Sequence, residues 1–181
     1  MSSISQGLVD GEGNDRIIMY LKKERVRLRP VRESDCKLLW KWANEPEVRA
    51  ASFSSHYISW EEHTNWLQQK IKDPNCIHFI AVNGDEKPQG QIRFDIKDDG
   101  RATINVSIDK YFRSFGLGSI IIDKAVLNLF NNTMLNTVEA NIKLDNLKSL
   151  KTFEKANFKL IAHKYINGNE CMQYIRSKSV E

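Results

Sequence analysis

Arg113-Ser114-Phe115-Gly116-Leu117-Gly118 is the stretch whose residue types and spacing point most directly to chemistry. A β-patterned run, Ala102 to Ile108, leads into it, and a helical run, Ser119 to Phe130, leaves it. Two glycines therefore lie between a strand and the first turn of a helix. A helix start offers unpaired backbone N–H groups and the positive end of its dipole. Glycine lets that backbone approach an anion closely. The combination suits a phosphate or a pyrophosphate. Spacing then separates the ligands. A dinucleotide fingerprint needs G-x-G-x-x-G early in a βαβ unit, with an acid about 20 residues on. Here a single G-x-G stands mid-chain. A P-loop needs Gly-Lys-Ser/Thr, and no lysine separates Gly118 from Ser119. What remains is Arg-x-x-Gly-x-Gly, a pattern that a glycine helix entry without any ligand would also satisfy.

The elements that must position this loop follow from periodicity. Arg25 to Val31 alternates charged and apolar residues, as a half-buried strand ended by Pro30. Ser34 or Asp35 caps a helix carrying Leu38, Leu39 and Trp42, which runs out at Asn44-Glu45-Pro46. A polar loop, Arg49 to Tyr57, comes next. Ser59-Trp60-Glu61-Glu62 is a capping box that opens a second helix, Trp60 to Ile71. Three strands follow, Ile77–Val82, Gln89–Ile96 and Ala102–Ile108, joined by turns at Asn83-Gly84-Asp85 and Asp98-Asp99-Gly100. After the loop helix, Thr137 to Ile142 is a strand, parallel to its predecessor by the crossover rule. Asp145 or Asn146 caps a helix with Leu147, Leu150 and Phe153 on one face. Phe158–Tyr165 and Cys171–Arg176 read as two last strands around Asn167-Gly168-Asn169. The expected order is β-α-α-β-β-β-α-β-α-β-β, an α/β mixed sheet with helices on both faces.

Composition bounds the function. A chain of 181 residues with 41% hydrophobic and 28% charged content reads as one globular domain, here 20–178. Residues 1–19 are Ser-, Gly- and Asp-rich and are expected to form a mobile leader, with Met19 an alternative start. The net charge of +4 fits an anionic ligand, but no basic block interleaved with aromatics suggests nucleic acid. Cys36, Cys76 and Cys171 are odd in number, far apart and without C-x-x-C, which suggests neither a disulfide framework nor a metal site. No apolar run reaches the ~18 residues of a membrane span, and Met1 to Asp15 lacks the apolar core expected of a signal peptide. A cytoplasmic protein is expected.

Three features now converge: the element order, Arg113-x-x-Gly116-x-Gly118 after the fourth strand, and Asn146-x-x-Ser149-x-x-x-Phe153-Glu154-Lys155-x-Asn157-Phe158 on the later helix. Together they resemble the GNAT N-acetyltransferase superfamily over about Arg25 to Arg176. The resemblance implies a GNAT fold and acetyl-CoA as the acyl donor, with no metal. It implies that backbone from Ser114, Phe115, Gly116, Leu117, Gly118 and Ser119 holds the pyrophosphate, with Arg113 close by and its reach left open. A bulge at the end of the 102–108 strand would splay it from the 137–142 strand. The pantetheine arm would then pair with the free edge, with Val106, Ile108, Asn141, Asn146, Ser149 and Phe153 around the cofactor. A backbone N–H near Val106 or Ser107 would polarise the thioester carbonyl. An amine would attack directly, in a ternary complex, so the cysteines would not be nucleophiles.

Two residues depart from the family pattern. Phe153 stands where many relatives place a tyrosine acid, and Asn157 stands where they place glycine. Asn tolerates left-handed backbone, so the turn survives. For the proton taken from the amine, Asn105, Ser107 and His63 are the tentative catalytic residues, with Asp95 and Glu139 on neighbouring strands as further bases. The acceptor end carries Trp42-x-Asn44, Val48-Arg49, Ser52 and Glu61-x-His63-x-x-Trp66. That set resembles the GNAT branch that acetylates amino-sugar nucleotides, including those of pseudaminic acid synthesis. The resemblance implies a small-molecule amine, a nucleotide sugar, as acceptor, with Arg49, Ser52, His56, Trp60 and His63 at its site and Arg49 on a phosphate. The tryptophans at helical spacing equally suit a core face. A homodimer is compatible with this reading. Two alternatives stand: acetylation of a protein N-terminus, as in the ribosomal-protein acetyltransferases, and a non-catalytic module that binds CoA.

Overall fold

The computed structural model describes residues 25–179. The expectations for the leader fall outside that range. Seven strands form one sheet in the order β1-β2-β3-β4-β5-β7-β6. They are β1 (Arg27–Pro30), β2 (Cys76–Val82), β3 (Pro88–Ile96), β4 (Ala102–Ile108), β5 (Thr137–Lys143), β6 (Lys159–Ile166) and β7 (Asn169–Ser177). Neighbours are antiparallel except β4 and β5, which are parallel. Among the described residues five helices of nearly two turns or longer accompany them: α1 (Cys36–Ala43), α2 (Pro46–Ala51), α3 (Trp60–Lys72), α4 (Leu117–Asn132) and α5 (Leu147–Lys155).

Strand alternation divides the sheet into two unlike faces. Ala102 and Ile104 of β4, Ile92 and Phe94 of β3, and Val138, Ala140 and Ile142 of β5 pack with α4 and α5 in the main core. On the opposite face a smaller cluster joins Leu39 and Trp42 of α1 and Leu67 of α3 to Ile80 and Val82. Beyond that cluster the second face is polar. Register places Gln91 beside Ser107, Arg93 beside Asn105, and Asp95 beside Thr103.

The expected order holds with one addition and one correction. The addition is α2. Pro46, read above as the end of a helix, instead begins a new one, since its fixed φ and missing N–H suit the first helical position. The correction concerns the bulge. β3 and β4 pair without a register shift from Gly90↔Ile108 to Ile96↔Ala102. The irregularities lie elsewhere, between β2 and β3 at Ala81/Val82, where Gln89 is the extra residue, and between β6 and β7 at Leu160/Ala162. Several local expectations are met: Ser59 Oγ accepts from Glu62 N at 3.1 Å, Asn146 Oδ1 accepts from Ser149 N at 3.2 Å, and Asn157 adopts a φ of 62°.

Candidate active site

The glycine loop is built between β4 and α4. Asp109 ends the strand. Its Oδ1 accepts from Tyr111 N at 2.9 Å and shapes a tight turn over Lys110–Phe112, while its Oδ2 accepts from Trp42 Nε1 at 2.7 Å. Arg113 Nε donates to Ile108 O at 2.8 Å, and its guanidinium pairs with Glu45 and, at 2.9 Å, with Glu47. Arg113 is thus turned toward α2 rather than toward an anion at the helix start. Ser114 and Gly116 both have positive φ, 66° and 74°. That conformation bends the backbone so that successive N–H groups converge, a nest for an anion. No acidic residue occupies the first turn of α4.

The two glycines serve different ends. A Cβ on Gly116 would meet nothing within 4 Å, so its requirement is the left-handed backbone. A Cβ on Gly118 would lie 2.9 Å from Thr152 Cγ2 and 3.8 Å from Ile108 Cγ1. Gly118 therefore lets α5 press against the first turn of α4 beside the end of β4.

Next to the loop the sheet opens. β4 and β5 pair only at Ala102↔Val138 and Thr103↔Glu139, then part. At the point of divergence Glu139 is 1% exposed. Its carboxylate is held by Lys97, by Thr103 Oγ1 at 3.1 Å, by Gln173 Nε2 at 3.2 Å and by Arg101 at 3.3 Å. Burial opposes this charge, but Lys97, Thr103 and Arg101 together bring the pKa below its ordinary value. A carboxylate so held makes a poor base. Asp95 is held likewise, by Lys70 at 2.9 Å and Arg93 at 2.9 Å, and its pKa is also lowered against the cost of burial.

Backbone alternation decides which groups of β4 face the opening. Asp109 N donates to Gln89 O at 2.9 Å, and Ser107 O lies 2.6 Å from where a Cβ on Gly90 would sit. The odd-numbered residues of β4 therefore turn their peptide groups to β3. Ile104 and Val106 turn theirs to the cleft. Of Val106 and Ser107, Val106 is the one with an N–H aimed at the opening. The Ile108 carbonyl is taken by Arg113. Across the gap, Asn141 Oδ1 is buried without a hydrogen-bond partner among the described residues.

This set of features fits coenzyme A: a nest at a helix start for the pyrophosphate, and an unpaired strand edge for an amide-bearing arm. The acetyltransferase (GNAT) domain model matches residues 25–159. The chain belongs to the GNAT acetyltransferase family. Among curated relatives it is 26% identical over 124 residues to acetyltransferase PseH of Campylobacter jejuni, covering 68% of this chain and 76% of that protein. Among solved structures, the spermidine N-acetyltransferase of Vibrio cholerae in complex with CoA and spermine superposes with a TM-score of 0.78 at 17% identity, covering 85% and 96% of the two chains. AAC(6')-Ib in complex with ribostamycin and coenzyme A superposes at 0.76 and 17% identity, covering 85% and 94%. This GNAT protein is accordingly an acetyltransferase that uses acetyl-CoA to acetylate an amine.

In this GNAT chain the acceptor segment differs from what its residue types suggest. Arg49 is folded inward. It donates to Ala43 O at 2.5 Å, Ser54 O at 3.2 Å, His56 O at 3.5 Å and Ser52 Oγ at 3.1 Å, and Ser52 Oγ in turn donates to Val48 O at 2.7 Å. Arg49 and Ser52 thus shape the loop and are spent there, which removes Arg49 from any phosphate. His63 is 3% exposed and its pKa is lowered by burial, so it lies inside the protein, against Trp66, and out of an acceptor's reach. His56 is exposed, and its Nδ1 is hydrogen-bonded to Ser54 Oγ at 2.8 Å. Tyr57 and Trp60, 64% and 47% exposed, stand edge-on to Trp40 and form an aromatic shelf. Trp42 is core.

Phe153 is also core, 3% exposed and edge-on to Phe158 at 5.0 Å. Ser149 lies on the half-buried side of α5. Cys171 and Cys76 have thiols pushed up by burial, away from the nucleophilic thiolate. Among the described residues no group of three or more His, Cys, Asp or Glu side chains gathers around a metal site. Among the described residues no helix is long and apolar enough to cross a membrane. The sequence reading missed Asp109, Glu45, Glu47, Thr152 and Gln91. The first four act through contacts across 34 to 68 positions, which no local pattern signals.

Proposed function

We propose that this acetyltransferase acts on the amine of a nucleotide-linked amino-deoxy sugar. The observation that carries the reading is the Trp40–Tyr57–Trp60 shelf on the acceptor segment, whose exposed faces suit stacking on a sugar or a base. The likeness to acetyltransferase PseH supports it.

When bound, acetyl-CoA supplies a thioester whose acyl carbon an amine attacks directly. In this reading the chain's own groups do the rest. Backbone N–H groups from Ser114 to Ser119 bind the pyrophosphate at the helix start. The Val106 N–H donates to the carbonyl oxygen where charge develops. Asn105 and Ser107 point from β4 to the acceptor face, where the lone pairs left on Asn105 Oδ1 and Ser107 Oγ accept from the water that carries away the amine proton. Asp95 and Glu139, tied in ion pairs, take no proton.

Thiol release from acetyl-CoA is the test. The panel would hold a UDP-linked 4-amino-4,6-dideoxy sugar, a free amino sugar, an aminoglycoside, spermidine and an N-terminal peptide. Turnover confined to the nucleotide sugar is expected. Trp60→Ala should raise its KM about tenfold, as loss of one stacked ring costs about 1–1.5 kcal/mol, while the KM for acetyl-CoA stays unchanged. Preference for the peptide or for spermidine would refute the reading.

A further inference from the structure

Three polar side chains link three strands on the acceptor face. His78 Nε2 lies 2.8 Å from Gln91 Oε1, and Gln91 Nε2 lies 3.2 Å from Ser107 Oγ and 3.4 Å from Asn105 Oδ1. The chain starts beside Trp66, whose ring stands edge-on to His78, and ends at the open edge of β4. Its polarity has two self-consistent settings. With the proton on Nε2, His78 donates to the Gln91 carbonyl, and the Gln91 NH2 group donates to Asn105 and Ser107. With the proton on Nδ1, the Gln91 amide turns over and accepts from Asn105 and Ser107 instead.

The surroundings choose between them. His78 Nδ1 is buried without a hydrogen-bond partner among the described residues. A proton there would be an orphaned buried donor, which proteins avoid more strictly than an unused acceptor. Burial also drives the His78 pKa down to about 4, so the ring is neutral and carries one proton.

We propose that His78 and Gln91 are positioning residues that set the acceptor face of β4 as a donor surface and so select amines flanked by oxygen atoms. With Asn105 Oδ1 and one lone pair of Ser107 Oγ satisfied by Gln91, the Asn105 amide N–H and the Ser107 hydroxyl hydrogen are the groups left to face a substrate. Such donors receive hydroxyl, ring or carbonyl oxygens beside the reacting nitrogen. An aliphatic polyamine offers them none. The inference rests on the reading that the amine is acetylated beside β4, and it names the class of acceptor more narrowly.

Two measurements test it. The nitrogen shifts of His78, assigned by comparison with His78→Phe, should show a neutral ring protonated at Nε2; protonation at Nδ1 would overturn the proposal whatever the activity. Gln91→Glu puts a carboxylate where the donor stood and reverses the polarity at Ser107. It should cut kcat/KM about tenfold or more for the nucleotide-linked amino sugar, the cost of one misdirected hydrogen bond, with the KM for acetyl-CoA little changed. Gln91→Met removes the donor without adding charge and should act in the same direction, which covers the case in which Gln91→Glu does not fold. An unchanged kcat/KM for the nucleotide sugar in either folded variant would overturn the proposal. If no amine on the panel is acetylated, the acceptor reading above fails, and the histidine shifts still decide the polarity.

Discussion

Replacing Gly118 with alanine would test whether the first turn of α4 is held by close packing. The added Cβ would lie 2.9 Å from Thr152 Cγ2, well inside ordinary contact, and 3.9 Å from Thr152 Oγ1. Either Thr152 or the helix start must move by several tenths of an ångström. Overpacking of this kind costs about 1–3 kcal/mol, and alanine returns up to about 1 kcal/mol through its better helical propensity. A net loss of about 1–2 kcal/mol should lower Tm by about 2–8 °C for a domain of this size. The same displacement shifts the N–H groups of Leu117, Gly118 and Ser119. Loss of one charge-assisted bond to a phosphate, about 1.5–3 kcal/mol, would weaken acetyl-CoA binding about tenfold to a hundredfold.

The control is Thr152→Ser, which deletes the Cγ2 that Gly118→Ala would strike. The double variant should recover most of the lost stability and affinity, so that the two changes are strongly non-additive. Differential scanning calorimetry and titration calorimetry with acetyl-CoA measure both quantities. If Gly118→Ala alone leaves Tm and affinity at wild-type values, Gly118 is not kept small by Thr152 and the packing argument fails.

Further outcomes follow from the same contacts. Glu139→Gln should destabilise the fold by about 1–3 kcal/mol, since Lys97 and Arg101 lose their buried partner. Glu139 has a folded-state pKa below its ordinary value of 4.5, so its contribution is present above about pH 4.5 and is lost as pH falls through the lower value. The acid limb of a wild-type denaturation curve should therefore be steeper than that of Glu139→Gln. Arg113→Ala should raise the KM for acetyl-CoA about fivefold, as a half-exposed pair worth about 1 kcal/mol no longer ties the loop to α2. Glu45→Gln should do the same in steady-state kinetics although it bears no positive charge; a phosphate-binding arginine would make Glu45→Gln neutral or favourable. Arg49→Ala should raise acceptor KM and leave acetyl-CoA affinity intact, because it frees the loop backbone at Ser54 and His56 rather than the cofactor loop.

What the sequence could and could not reveal follows the range of each interaction. The strands, the Ser59 and Asn146 caps and the left-handed Asn157 were legible because a cap or a turn is decided within four residues. The opening between β4 and β5 was legible as a place, though its cause was not. It arises where pairing stops beyond Thr103 and Glu139, and nothing in the order Thr103-Ile104-Asn105 says so. Side-chain roles failed where a charged or polar residue had a choice of partners. Arg49 and Arg113 both look like anion ligands by type. Each is instead satisfied by groups that come near only in the folded chain: carbonyls of its own loop for Arg49, and two glutamates 66 and 68 positions away for Arg113. His63 matched a motif at helical spacing, but that spacing fixes the face of α3 and not what covers it.

These misplaced cations share a consequence. Glu45 and Glu47 flank the start of α2, Arg49 lies in its last turn, and Arg49 fastens the loop that leads to Tyr57 and Trp60. Trp42 reaches Asp109, and Arg113 reaches Glu45 and Glu47, so the same short segment is anchored at its other side to the cofactor loop. The Tyr57–Trp60 shelf and the glycine loop are therefore connected through α2 by ion pairs and hydrogen bonds rather than by core packing alone. A polar link of this kind fixes direction as well as distance, whereas apolar contacts tolerate sliding. In the direct transfer proposed above that constraint matters, because no covalent intermediate would hold the acyl group while the amine arrives, and an ångström of misplacement costs about a hundredfold in rate.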